Sequence, residues 1–206
     1  MMLEQFAPEG VEAGVGLALE DGSGSYLFFL AGRKHGCPPG ELFYAGVGGH
    51  KEPGEDWVAC AHREAAEEIG AAIELLPSGV TWHVATSGAV APVDVADGPK
   101  PLALYEMIHP PGTKRAGHLY RIVVYRARLL GAPKDLPPEE VGGLIALTPE
   151  QVACAPGERR ALADLLRGGA RLVAATREIR EDALLYPIGT AAVLARVFGG
   201  ALNSAQ

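Results

Sequence analysis

The first part of the chain predicts β-structure. Apolar side chains occupy every second position over residues 11–19, which is the period of a strand with one buried face. A short apolar run at Tyr26–Ala31 predicts a second, buried strand. Residues 42–47 predict a third strand, which ends at Gly48 and Gly49.

The hydrophobic period changes to that of a helix over residues 56–69. The apolar positions recur at helical spacing and form one face that would dock on a sheet: Val58, Ala61, Ala65 and Ile69. Asp56 is a typical N-cap residue, and Gly70 suits the left-handed position that ends a helix. The sequence therefore predicts a helix with defined ends and one buried side.

The remainder of the chain mixes strands with helices. Strands are predicted at residues 81–85, 102–108, 118–130 and 144–147, and loops at 91–100 and 109–117. Thr148 and Gln151 fit a capping box that starts a helix. Further helices are predicted at residues 158–167, 176–185 and 190–198. The class is α+β or α/β, with one domain at residues 1–170 and a helical C-terminal extension at residues 171–206 packed on it.

Composition and charge narrow the classes of function. The 206 residues are 48% hydrophobic and 21% charged, as in a folded protein, and the net charge of -7 argues against binding to a nucleic-acid duplex. Three cysteines without a CxxC pair exclude a disulfide framework or a four-cysteine zinc site and favour a reducing compartment. With no signal-peptide pattern and no apolar run of membrane length, a cytoplasmic protein without membrane contact is expected.

Three glutamates on the predicted helix are candidates for metal binding. Glu64, Glu67 and Glu68 have the i, i+3, i+4 spacing that places side chains on one helical face. A hard divalent cation offsets their mutual repulsion, and Mg²⁺ or Mn²⁺ prefers such carboxylate oxygens. Gly48 and Gly49 let the preceding backbone approach closely, so that a carbonyl could become a further ligand. The alternative is a solvated acidic surface.

Glu55 and Arg63 lie at the entrance and in the middle of the same helix. If the preceding loop folds back, Glu55 accepts two parallel hydrogen bonds from the Arg63 guanidinium. The sequence thus predicts a structural brace between the loop and the helix.

Residues 49–71 resemble the Nudix box, the signature of the Nudix hydrolase superfamily. Every fixed position of that pattern is met, by Gly49, Glu55, Arg63, Glu64, Glu67, Glu68 and Gly70. Ala65 and Ala71 occupy the two apolar positions. The order of strands around the box also resembles the Nudix fold over residues 8–170. The resemblance therefore implies an α/β/α sandwich with a mixed β-sheet.

The same resemblance implies an activity. It is the Mg²⁺- or Mn²⁺-dependent hydrolysis of the diphosphate linkage of a nucleoside diphosphate joined to another moiety. In this family water attacks a phosphorus while the metal neutralises phosphate oxygens. The implied metal ligands are the Gly49 carbonyl, Glu64, Glu67 and Glu68. Glu55 and Arg63 are implied to be structural.

The resemblance leaves the general base and the substrate contacts open. The catalytic candidates are Glu64 and Glu67 in the box and Glu140 in a later loop, and the base is either Glu64 or such a distal acid. Arg33, which follows the second strand, and Lys51 are candidates for binding a substrate phosphate. A solvated surface role is the alternative for Glu140 and Lys51.

The substrate is also open. The chain lacks the subfamily markers of NADH, coenzyme A and ADP-ribose hydrolases, so the expected partner is a small nucleotide-diphosphate substrate of unassigned identity. The C-terminal extension would cap the pocket, form a homodimer surface or simply pack as helices. A second interpretation is a non-catalytic nucleotide sensor with the same fold, although sensors often lose box glutamates and none is lost here. A third is an isomerase of isoprenoid diphosphates, whose box usually departs from this pattern.

Overall fold

The computed structural model describes residues 1–109, 115–153 and 157–203, with side chains as far as residue 199. These residues form twelve strands and five helices. The strands are β1 (Ala13–Glu20), β2 (Tyr26–Ala31), β3 (Glu41–Ala45), β4 (Ala72–Leu76), β5 (Thr81–Val84), β6 (Val90–Val93), β7 (Ala103–Ile108), β8 (Leu119–Leu130), β9 (Val141–Leu147), β10 (Arg160–Ala161), β11 (Arg171–Ala175) and β12 (Leu184–Pro187). The helices are α1 (Leu3–Phe6), α2 (Trp57–Ile69), α3 (Pro149–Val152), α4 (Leu162–Arg167) and α5 (Gly189–Asn203).

Local capping signals confirm two of the predicted helices. The Asp56 side chain accepts a hydrogen bond from the Ala59 amide at 2.8 Å, and Gly70 ends α2 with a left-handed φ of 57°. At α3, Thr148 Oγ1 accepts from the Gln151 amide while Gln151 Oε1 accepts from the Thr148 amide. Both helices therefore begin where the sequence places their caps.

The twelve strands form one mixed sheet. β1 lies near its centre, parallel to β8 and antiparallel to β2. β2 also pairs with β3 and β9, so the sheet branches there. β12 extends one branch in parallel next to β3, and β11 extends the other next to β9. β4 and β7 pair antiparallel with β8.

Helices cover both faces of the sheet. α2 packs on β1 and β4, where Ala65 and Ile69 join Leu17 in one buried cluster. α5 packs on β1, β3, β7 and β12 from the opposite face, where Val193 joins Phe28 in a second buried cluster. The result is an α/β/α sandwich, which confirms the predicted fold class. No helix in the described ranges is both long and apolar enough to cross a membrane.

The structure corrects several predicted elements. Residues 176–185 form no helix; residues 176–183 connect β11 to β12, and Leu184 and Leu185 belong to β12, so the C-terminal extension contributes two strands before its helix α5. The loop predicted at 91–100 begins within β6, and β4 was not predicted. β6 and β11 are mostly exposed and lack a buried alternation, because they form through pairing with β5 and β9. Of the predicted loop 109–117, residues 110–114 lie outside the described residues.

Candidate active site

The loop at residues 48–51 passes between β1 and α2. The Val15 amide donates to the Gly49 carbonyl at 2.9 Å and fixes the loop against β1. A Cβ atom on Gly49 would lie 2.5 Å from both carboxylate oxygens of Glu64, so a side chain at this position would collide with that carboxylate. The close backbone approach predicted from the glycine pair is therefore present.

Arg63 joins this loop to the helix. Its Nε and Nη2 donate to the two oxygens of Glu55 at 2.9 and 3.0 Å, which is the bidentate pair predicted from the sequence. Nη1 donates to Glu64 at 2.8 Å and to Glu67 at 3.0 Å, and Nη2 also donates to the His50 carbonyl at 2.9 Å. The hydrogen bonds from Arg63 lower the pKa of Glu55 to about 2 against the opposing effect of burial. The brace is thus charged at neutral pH.

The three helix glutamates have different surroundings. Glu64 is buried, with 11% of its side chain exposed, whereas Glu67 is 60% exposed. Burial raises the pKa of Glu64, and it raises the pKa of Glu68 to about 8 although the Gly48 amide donates to that carboxylate at 3.0 Å. The structure therefore brings Glu64 and Glu68 together near the loop and leaves Glu67 towards solvent.

A cavity of about 630 Å³ opens beside this loop. Its acidic lining residues are Glu52, Glu64, Glu68 and Glu140, and its basic ones are Lys34, Lys51, Arg63 and Arg115, together with His35 and His50. Carboxylates hold hard cations, and lysine and arginine bind phosphate. The lining therefore suits a phosphate ligand that arrives with a divalent metal.

The later loop reaches the cavity by pairing with the segment after β2. The Gly32 amide donates to the Glu140 carbonyl at 2.9 Å, and the Lys34 amide donates to the Glu139 carbonyl at 2.9 Å. The Lys34 side chain pairs with Glu140, while Arg33 pairs with Glu139 among exposed groups. The structure thus places Glu140 and Lys34 in the cavity lining and leaves Arg33 out of it. Arg33 and Lys34 lie in the turn at residues 32–35, where their side chains pair with different glutamates, and of the two only Lys34 lines the cavity.

Comparison with known proteins decides the family. The model of the NUDIX domain matches residues 11–167. The chain belongs to the Nudix family. Its fold is similar to the solution structure of the E. coli ORF135 protein, at 14% identity and a TM-score of 0.51 over 95% of this chain and 93% of that one. A MutT NUDIX hydrolase from Burkholderia pseudomallei is 22% identical, with a TM-score of 0.44 over 69% of this chain and 87% of that one. No curated protein matches the chain.

Nudix hydrolases generally use divalent metal ions, and the Nudix box of this chain fits one. Among the residues that the structure describes, no three acidic, histidine or cysteine side chains form a metal cluster. Mg²⁺ needs fewer protein ligands, because it is usually bound by one or two carboxylates together with water and substrate phosphates. Glu64 and Glu68 supply two carboxylates. The raised pKa of Glu68 marks a carboxylate that an added positive charge would stabilise.

Some residues at this Nudix cavity give no signal in the sequence. His35, Glu52 and Arg115 line the cavity but were not among the predicted site residues. Each lies in a loop, within a short run of polar residues that lacks the regular spacing by which the box is identified. Only the tertiary structure brings them next to the helix glutamates.

Proposed function

We propose that this protein is a Mg²⁺- or Mn²⁺-dependent pyrophosphohydrolase that cleaves the diphosphate linkage of a nucleoside diphosphate joined to another moiety. The observation that carries the proposal is one cavity that contains the carboxylates Glu64 and Glu68 together with the cations Lys34 and Lys51. A metal-bound diphosphate needs both kinds of group. The carboxylates hold the cation, and the lysines pair with the negatively charged phosphate oxygens.

Glu64 and Glu68 would hold the metal, assisted by the Gly49 carbonyl. Glu67 would bind the metal through a water molecule, since its side chain is 60% exposed and does not line the cavity. A divalent metal bound in this way neutralises phosphate charge and makes a bound water more acidic. The helix positions the two principal carboxylates, and the Arg63 brace fixes the helix against the loop.

The other cavity residues act on the substrate and on water. Lys34 and Lys51 bind phosphate oxygens and orient the diphosphate. Glu140 accepts the proton of the attacking water, because it is a lining carboxylate that the metal does not require. The new bond joins the water oxygen to phosphorus, the bond from that phosphorus to the bridging oxygen breaks, and the bridging oxygen leaves with the second phosphate.

The general base has a direct test. Glu140→Gln is expected to lower kcat by about 100-fold or more, the usual contribution of a positioned base, while Mn²⁺ affinity stays at the parent value. Glu139→Gln is the matched control, because Glu139 is adjacent in sequence but pairs with Arg33 outside the cavity lining. If the Glu140→Gln enzyme has the parental kcat, Glu140 is not the general base, and Glu64 is the remaining candidate.

The proposed activity is tested on a panel of substrates. The purified protein is incubated with ADP-ribose, NADH, coenzyme A, dinucleoside polyphosphates and nucleoside triphosphates, with Mg²⁺ or Mn²⁺, and the products are separated by chromatography. Cleavage of a diphosphate linkage in at least one compound is expected, and EDTA should abolish it, because the cavity carboxylates need a cation. Nucleotide binding without cleavage would favour the sensor interpretation, and cleavage that persists in EDTA would refute metal dependence.

A further inference from the structure

The rim of the cavity contains a group of residues that the proposed mechanism does not use. Glu12 lies just before β1, and its Oε1 is 3.0 Å from His50 Nε2 and 3.2 Å from His109 Nε2. The same oxygen pairs with the Arg115 guanidinium. These four residues, which we name the rim cluster, come from three separate parts of the chain.

Tyr120 fixes the two imidazole rings of the rim cluster. His50 and His109 both stack on its ring, with centroid distances of 4.7 and 5.4 Å. Tyr120 is itself buried in β8, and its hydroxyl lies so close to Gly14 that a Cβ atom there would be 2.0 Å away. Glu12 is therefore held by groups anchored on a central strand of the sheet.

Two members of the rim cluster, His50 and Arg115, line the cavity, and Arg115 is the one whose side chain is always positively charged. It lines the same cavity as Glu64 and Glu68, and 48% of its side chain is exposed. A long side chain with this exposure samples many rotamers unless a partner restrains it. Glu12 is such a partner, because only 23% of its own side chain is exposed and its carboxylate is in contact with the two histidines.

We infer that Glu12 is a positioning residue that holds Arg115 in the cavity, where the guanidinium binds a phosphate group of the substrate. The guanidinium has several N–H donors in a planar fork, so one nitrogen can pair with Glu12 while others bind phosphate oxygens. The inference rests on the proposed function for the identity of the ligand. Arg115 would add a phosphate contact beside the loop at residues 48–51, separate from that of Lys34.

The test measures binding of inorganic pyrophosphate in the presence of Mn²⁺ by calorimetry, which requires no turnover. Glu12→Gln and Arg115→Ala are each expected to weaken binding about 10-fold or more, the effect of one charge-assisted hydrogen bond. The double variant should bind no more weakly than Arg115→Ala alone, because Glu12 acts through Arg115. Glu9→Gln, an exposed position three residues away, is the control and should match the parent.

A structural role for Glu12 would give a different pattern. With a structural role, Glu12→Gln would lower the thermal midpoint, and its loss of binding would add to that of Arg115→Ala. With a positioning role, Glu12→Gln raises KM with little change in kcat. Additive losses, parental affinity in Glu12→Gln, or a parent that does not bind pyrophosphate would each overturn the inference. If Glu12→Gln does not fold, Glu12→Asp replaces it and is expected to give an intermediate loss that is again not additive.

Failure of this inference is distinguishable from failure of the proposed function. If no compound of the panel is cleaved but pyrophosphate binding depends on Glu12 through Arg115, the positioning role stands and the hydrolase proposal fails. If a compound is cleaved and the Glu12 variants behave like the parent, the hydrolase proposal stands and the positioning role fails.

Discussion

Glu64→Gln is expected to lower kcat by at least about 100-fold, because one charge lost from a water-poor site costs roughly 3 kcal/mol of transition-state stabilisation. The substitution keeps the shape of a side chain that is buried between Arg63 and the Gly49 backbone. It removes one of the two carboxylates proposed to hold the metal, so Mn²⁺ affinity should fall as well. Steady-state kinetics and Mn²⁺ titration measure the two effects, and Glu68→Gln is expected to behave alike.

The loss of activity should not come from unfolding. Burial raises the pKa of Glu64 and that of Glu68, which means that the fold disfavours their charged forms relative to the unfolded chain. A neutral glutamine therefore removes an electrostatic cost, and the thermal midpoint without metal should stay level or rise. Glu74→Gln on β4 is the control, since Glu74 pairs only with exposed Arg128 in the contacts described. Parental kcat in Glu64→Gln would refute the hydrolase mechanism and favour the sensor interpretation.

Arg63→Ala is expected to damage both stability and activity. Arg63 donates to Glu55, Glu64, Glu67 and the His50 carbonyl, so its removal leaves partly buried carboxylates without their cation. The expected loss is about 2–3 kcal/mol of unfolding free energy. For a chain of this size that corresponds to a thermal midpoint lower by about 5–10 °C. Differential scanning calorimetry measures the shift, and kcat should fall because the loop is no longer fixed to the helix.

Acid titration separates this brace from a general packing defect. Arg63 lowers the pKa of Glu55 from 4.5 to about 2, so the pair stabilises the fold fully above pH 4.5 and loses its contribution as the pH falls towards 2. The stability difference between parent and Arg63→Ala should therefore shrink over that interval. Arg128→Ala, which removes an exposed pair with Glu74, should cost no more than about 1 kcal/mol. An Arg63→Ala midpoint equal to the parent's would show that the brace contributes no stability.

Local signals explain what the sequence could predict. Asp56 and Gly70 delimit α2 because capping depends on residues within one turn, and the same holds for Thr148 at α3. The Glu55–Arg63 pair was also predictable, since both residues belong to one segment of 23 residues and are only eight positions apart in the chain. The helical face that carries Glu64 and Glu68 follows from the same period.

Long-range contacts explain what could not be predicted. β11 is exposed at most positions and forms because it pairs with the edge of β9. The local sequence of β11 does not show that this pairing occurs. Lys34 rather than Arg33 lines the cavity because the pairing with Glu139 and Glu140 sets the direction of each side chain. Glu12 and Arg115 are 103 residues apart and meet only in the folded chain.

The two strands near the C-terminus have a consequence for any shortened form of the protein. The family match ends at residue 167, yet β11 and β12 lie beyond it and cover the outer edges of β9 and β3. Without them, two rows of backbone N–H and C=O groups would face water, and such open edges recruit strands from other molecules. A chain cut at the family boundary would therefore exchange strands with its neighbours and aggregate. In this protein the last strands therefore cover hydrogen-bonding edges of β9 and β3 as well as extend the sheet.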